Sequence, residues 1–120
     1  MARSPIQPPV LHQIVYELRY DYGYTYLDKC GAAMNDVLRA NPGWEHVGAN
    51  PQQGALTDPK THIRLTFNAF RINLIQEQSK DVQSLVSVPE FAKLAQDLSL
   101  ILTDRLGLQE FTRVGFRTCG

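Results

Sequence analysis

The sequence predicts an α+β sandwich of four antiparallel strands and two helices, in the order β-α-β-β-α-β. Three observations carry that expectation. Apolar and polar residues alternate with a period of two near residues 14–20, 63–74 and 111–118, the pattern of half-buried strands. Between successive strand patterns lie two stretches, near 27–38 and 91–106, whose apolar residues recur at three- and four-residue steps, as on amphipathic helices. The chain has 120 residues, which suits one domain that buries roughly two thirds of its unfolded surface in one core.

Residues 1–10 carry Pro5, Pro8 and Pro9 and read as an extended N-terminal arm, leaving 11–120 as a single α+β domain. In the first strand Ile14, Tyr16, Leu18 and Tyr20 share one side, while Val15, Glu17, Arg19 and Asp21 share the other. Asp21-Tyr22-Gly23-Tyr24 is the turn that follows. Thr25 stands as the N-cap of the first helix, with Asp28 in its first turn. Leu27, Cys30, Met34, Val37 and Leu38 form the apolar stripe, and Asn41-Pro42-Gly43 stops the helix. Trp44 to Val47 reads as a short extended piece. Residues 48–60 hold Gly48, Asn50, Pro51, Gly54, Asp58 and Pro59 and read as a long loop.

A hairpin is expected over 62–76. With Asn68-Ala69 as its two-residue turn, Phe67 faces Phe70, Leu65 faces Ile72 and Ile63 faces Leu74, so three apolar pairs share one face. Ala is a poor residue for the left-handed backbone that such a turn requires. Residues 79–87 read as a loop or a ragged edge strand. Pro89 and Glu90 open the second helix, whose stripe is Phe91, Leu94, Ala95, Leu98, Ile101, Leu102 and Leu106, and Gly107 closes it. The last strand sets Thr112, Val114 and Phe116 on one side and Arg113, Gly115 and Arg117 on the other. Short connections and right-handed crossovers then place both helices on one face of a four-stranded sheet, a ferredoxin-like topology.

Pro8-Pro9-Val10 leading into Ile14-Val15-Tyr16-Glu17-Leu18-Arg19-Tyr20 resembles the opening of a sporadically distributed, uncharacterised family of prokaryotic proteins. Phe70-Arg71-Ile72, the second helix, and Phe111-Thr112-Arg113-Val114-Gly115-Phe116-Arg117 resemble the remainder of that family's N-terminal half. The similarity covers most of this chain, whereas family members are longer. By that resemblance the chain is either a free-standing half or a piece of a longer protein. The resemblance implies no established activity.

Composition narrows the chemistry. Twelve basic residues balance twelve acidic ones, so no global field draws in nucleic acid or anionic membrane. No apolar run is long enough to span a bilayer, and the N-terminus lacks an apolar signal core, which makes the cytoplasm the default location. Cys30 and Cys119 do not make a disulfide framework. Gly43, Gly48 and Gly54 are too scattered for a phosphate loop, and His12, His46 and His62 share no metal-ligand spacing, so no cofactor or metal is expected. Cys30 sits on the apolar stripe of its helix rather than at a reactive helix start. The turn at Asp21–Tyr24 lacks the arginine and glycines that an acylphosphatase uses to bind anions. Arg113-Val114-Gly115-Phe116 does not match the aromatic motifs of RNA-recognition domains. No motif in the sequence supports catalysis; a small enzyme with its site in the Tyr22–Tyr24 turn and the loop 48–60 stands as a third reading.

Two features point to binding instead. Arg19, Arg64, Arg71, Arg113 and Arg117 all fall on the sheet face away from the helices, with Glu17 and Asp21 nearby. Such a face suits an anion, a nucleic acid or an acidic protein; it also suits plain solvation, or cover by another subunit. Phe111 is expected to be that face's aromatic. Tyr22 and Tyr24 flank Gly23 in the first turn, either as a recognition surface or as a lid on the core end. The expected function is a non-enzymatic interaction module that forms a homodimer or docks a protein partner. The alternative is an anion- or nucleic-acid-binding domain using the arginine face.

Overall fold

A computed structural model describes residues 12–21, 23–49, 52–78 and 85–119. Its elements are β1 (Gln13–Asp21), α1 (Tyr26–Ala40), β2 (Glu45–Ala49), β3 (Gly54–Thr57), β4 (Arg64–Phe67), β5 (Arg71–Glu77), α2 (Val88–Leu106) and β6 (Glu110–Cys119). The six strands form one sheet in the order β2-β3-β4-β5-β1-β6, and every neighbouring pair is antiparallel. The expected N-terminal arm, Asn50-Pro51 and residues 79–84 lie outside the described residues.

The fold is α+β, but the four-stranded ferredoxin-like sandwich is corrected to a six-stranded sheet. The two extra strands, β2 and β3, occupy the segment that reads as a short extended piece and a loop. Their sequence hides them because β3 is only Gly-Ala-Leu-Thr, with a single large apolar side chain, Leu56, buried in the core. Gly54 is buried because α1 and β4 crowd it: a Cβ there would stand 3.1 Å from Cys30 Sγ and 3.0 Å from Phe67 Cζ. Small residues are what this close approach requires, and they erase the strand pattern.

The β4–β5 hairpin also departs from its expected register. Phe67 pairs with Ile72 and Leu65 with Leu74, a slip of two residues. The slip is even, so the apolar face survives it. Its cause is Asn68, whose Oδ1 accepts hydrogen bonds from the Phe70 and Arg71 backbone N–H groups at 2.8 and 3.0 Å. Asn68 therefore opens the turn and leaves Ala69-Phe70 at its centre. No left-handed residue is needed there; among the described residues other than glycine only His62 has positive φ, in the β3–β4 connection.

Both helices lie on one face. α1 contributes Tyr26, Ala33, Met34 and Val37 to the core, and α2 contributes Phe91, Ala95, Leu98, Leu102 and Leu106. They pack on Leu56 of β3, Leu65 and Phe67 of β4, Ile72 and Leu74 of β5, and Ile14, Leu18 and Tyr20 of β1. Each of the Leu, Ile, Val, Met and Phe side chains among them stabilises by roughly 1.5–3 kcal/mol when fully buried. Gln76 is the buried polar exception and is satisfied: its Nε2 donates to the Thr61 carbonyl at 2.7 Å, and its Oε1 accepts from Val86 N–H at 2.9 Å. Gly107 closes α2 as expected, in the left-handed region at φ 64°, while the Ser87 side chain, accepting from Glu90 N–H, caps its start one residue ahead of the helix at Val88. Thr25 stands at the N-cap of α1 and Asp28 in its first turn, as expected, but the Thr25 side chain makes no capping hydrogen bond.

Candidate interaction surface

Two helices cover a limited width of sheet. A helix is about 10 Å across, and strands are spaced by about 4.8 Å, so two helices side by side roofs about four strands. The four with buried helix-side residues are β3, β4, β5 and β1. β2 and β6 are the edges, and neither holds a buried residue among those described.

At β6 that lack of cover exposes apolar side chains. Phe111, Val114 and Phe116 point to the helix side, where they are 49%, 65% and 44% exposed. Together with the β6-facing flank of α2 they line an open groove of about 510 Å³. Its other walls are Tyr16 and Leu18 of β1 and Ala92, Ala95, Gln96, Ser99, Leu100 and Thr103 of α2. The α2 flank is made of small or polar residues, apart from Leu100 at the rim, so it fills none of the space. One polar and one aromatic contact frame the groove: Ser99 Oγ donates to Tyr16 Oη at 3.0 Å, and Phe91 meets Phe116 edge-to-face at 5.9 Å.

Phe111 corrects an expectation. Strict alternation assigns it to the arginine face, but the β1–β6 register shifts between Arg19↔Arg113 and Tyr20↔Phe111. This bulge at Thr112 turns Phe111 to the side of Tyr20, into the apolar groove.

On the open face the cross-strand register gathers the predicted arginines. Arg71, Arg19 and Arg113 form one row across β5, β1 and β6. Asn73, Glu17 and Gly115 form the next, and Ile75, Val15 and Arg117 the one after, with Arg64 beyond Ile75 on β4. Glu17 serves two of them, at 2.6 Å from Arg19 Nε and 3.8 Å from Arg71 Nη1. Arg64, Arg113 and Arg117 form no ion pair with any described residue. Around Gly115, a depression of about 320 Å³ is lined by Val15, Glu17, Arg19, Arg113, Phe116 and Arg117.

The tyrosine turn lies elsewhere. Tyr22 is outside the described residues; Tyr24 is exposed and stands edge-on to the exposed Phe70 at 6.0 Å. Tyr20 and Tyr26 belong to the core, and burial pushes both phenols above their ordinary pKa, so neither serves as a base near neutrality. Cys30 is a free, half-buried thiol. No cluster of metal-ligating side chains occurs among the described residues, and no helix among them is long and apolar enough to cross a membrane. In comparisons with known proteins, no family model, curated protein or solved structure matches this chain.

Proposed function

We propose that this chain is a non-enzymatic protein-interaction module that docks its partner on the β6 edge and the adjoining α2–β6 groove. The observation that carries the reading is the exposure of Phe111, Val114 and Phe116 on a ten-residue edge strand. An edge strand offers unpaired backbone donors and acceptors to an added strand, while the groove accepts that strand's apolar side chains. Exposed apolar side chains gathered around a groove are the usual mark of such a site. Were the partner a second copy, the homodimer expected from the sequence, the same edge would form its seam.

The test is selection of random peptides on the immobilised full chain, read against the Val114→Lys variant. Binders to the parent should be lost on Val114→Lys while its thermal melt is unchanged. Light scattering over a dilution series covers the dimer. Binders indifferent to Val114→Lys, or no binders together with a monomer at every concentration, would sink the reading.

A second reading is supported by Arg64, Arg113 and Arg117, which have no ion pair among the described residues: an anion- or nucleic-acid-binding open face. Its affinity for mixed oligonucleotides should fall steeply with salt, because neutralised phosphates release counterions. Absence of binding at low salt would end it.

A further inference from the structure

We infer that the strand accepted by β6 alternates apolar with acidic residues, in the pattern acid–apolar–any–apolar–acid. The inference rests on the β6 docking reading and specifies its partner. A strand paired with β6 places successive side chains on opposite faces of the sheet. Two of its residues, two apart, stand opposite Val114 and Phe116 and look into the groove with Tyr16 and Leu18. Those positions require apolar side chains. The alternate residues stand opposite Arg113, Gly115 and Arg117 on the open face.

The charge on that face selects acids. Arg113 and Arg117 have no ion-pair partner among the described residues, and the neighbouring Glu17 is already held by Arg19 at 2.6 Å. Carboxylates directly across from Arg113 and Arg117 would lie within reach of both guanidinium groups. Gly115 leaves the lane between them open, since a Cβ there would meet nothing nearer than the Glu17 carbonyl at 4.0 Å. A second copy fits this face poorly. Antiparallel β6–β6 pairing about Gly115 brings four arginines to one seam; on each side Glu17, which shares their rows, is already engaged, and Asp21 and Glu110 pair beyond the bulge at Thr112.

The probes are two labelled synthetic peptides with cores Glu-Val-Thr-Val-Glu and Lys-Val-Thr-Val-Lys, titrated against the full chain by fluorescence anisotropy. The acidic core should bind at least about tenfold tighter at low salt, with the gap closing at high salt. Arg113→Glu/Arg117→Glu should reverse the preference. N-methylation of the peptide amides that face β6 should abolish binding, since strand addition needs those donors. Equal binding of both peptides, or β6-dependent peptides without acids from the random selection, overturns the acidic pattern and leaves the docking site standing. So does a dimer by light scattering that Val114→Lys dissolves while neither peptide binds. If no peptide binds and the chain stays monomeric, both readings fall together.

Discussion

The helix-side face of the sheet changes character between its middle and its β6 end. Over β3, β4, β5 and β1, residues such as Leu56, Leu65, Ile72 and Ile14 are sealed beneath α1 and α2. Over β6, Phe111, Val114 and Phe116 have the same apolar chemistry and the same facing but no roof. The other edge, β2, is uncovered too and, like β6, bulged, yet it is half as long and exposes Val47 as its only large apolar residue. Short edges resist pairing. The difference teaches that an apolar strand pattern records which face looks toward the helices, not whether a helix is above it.

The largest effect that can break this comparison comes from placing one substitution in both regions. Leu65→Asp puts an unpaired charge where the side chain is fully buried, and should cost about 4 kcal/mol or more, or prevent folding. Val114→Asp should cost no more than about 1 kcal/mol, because its side chain already meets water. Arg64→Asp, next to Leu65 but on the open face, should be similarly mild. Thermal melts of the three variants decide the matter. Comparable losses at Leu65 and Val114 would mean that β6 is covered after all.

That contrast also marks what was legible in the sequence. The strands now numbered β1, β4, β5 and β6 and both helices announce themselves by period, because each presents several large apolar residues to one side. β2 and β3 do not, since Gly48, Gly54 and Ala55 carry little or no side chain, Gly54 because α1 and Phe67 crowd it, and on β3 only Leu56 marks the buried face. Asn68 is readable as a turn residue, but its side-chain bonds to Phe70 and Arg71 set the two-residue slip, and alternation cannot see an even slip. The arginines of the open face were placed by alternation, whereas the groove was not. One signal for it was present: the flank Ala92, Gln96, Ser99 and Thr103 of α2 lacks any large apolar residue to lay on β6.

A smaller effect sharpens the comparison at two glycines. Gly54→Ala adds a methyl group that meets Phe67 and Cys30 at 3.0 and 3.1 Å, so those side chains must give way, at about 1 kcal/mol. Gly115→Ala adds the same group in open space on β6. A glycine inside a strand costs backbone entropy, so this change should be neutral or stabilise by up to about 1 kcal/mol. Paired denaturant titrations give the sign of each. Destabilisation by Gly115→Ala as large as that by Gly54→Ala would count against an open β6.

The smallest effect concerns the helix layer and its pH dependence. Asp36 of α1 accepts from Arg105 of α2 through two bonds, Nε to Oδ2 at 2.5 Å and Nη2 to Oδ1 at 3.0 Å, and Arg39 lies 3.4 Å from Oδ1. The Arg105 guanidinium holds the Asp36 carboxyl below its ordinary pKa. A carboxyl depressed in the folded state adds stability above its unfolded pKa and loses it as pH falls through the folded one. Asp36→Asn should therefore lower Tm slightly at neutral pH. The gap to the parent should shrink on acidification and under high salt, which screens this exposed pair. Arg113→Gln on β6 removes a cation with no ion-pair partner among the described residues, so its Tm difference should stay flat over the same acid range. A gap for Asp36→Asn that widens in acid would show that the pair does not fasten α1 to α2. A gap for Arg113→Gln that shrinks with it would show that Arg113 meets a carboxylate such as Glu17, and β6 would no longer differ from the helix layer in how its charges are met.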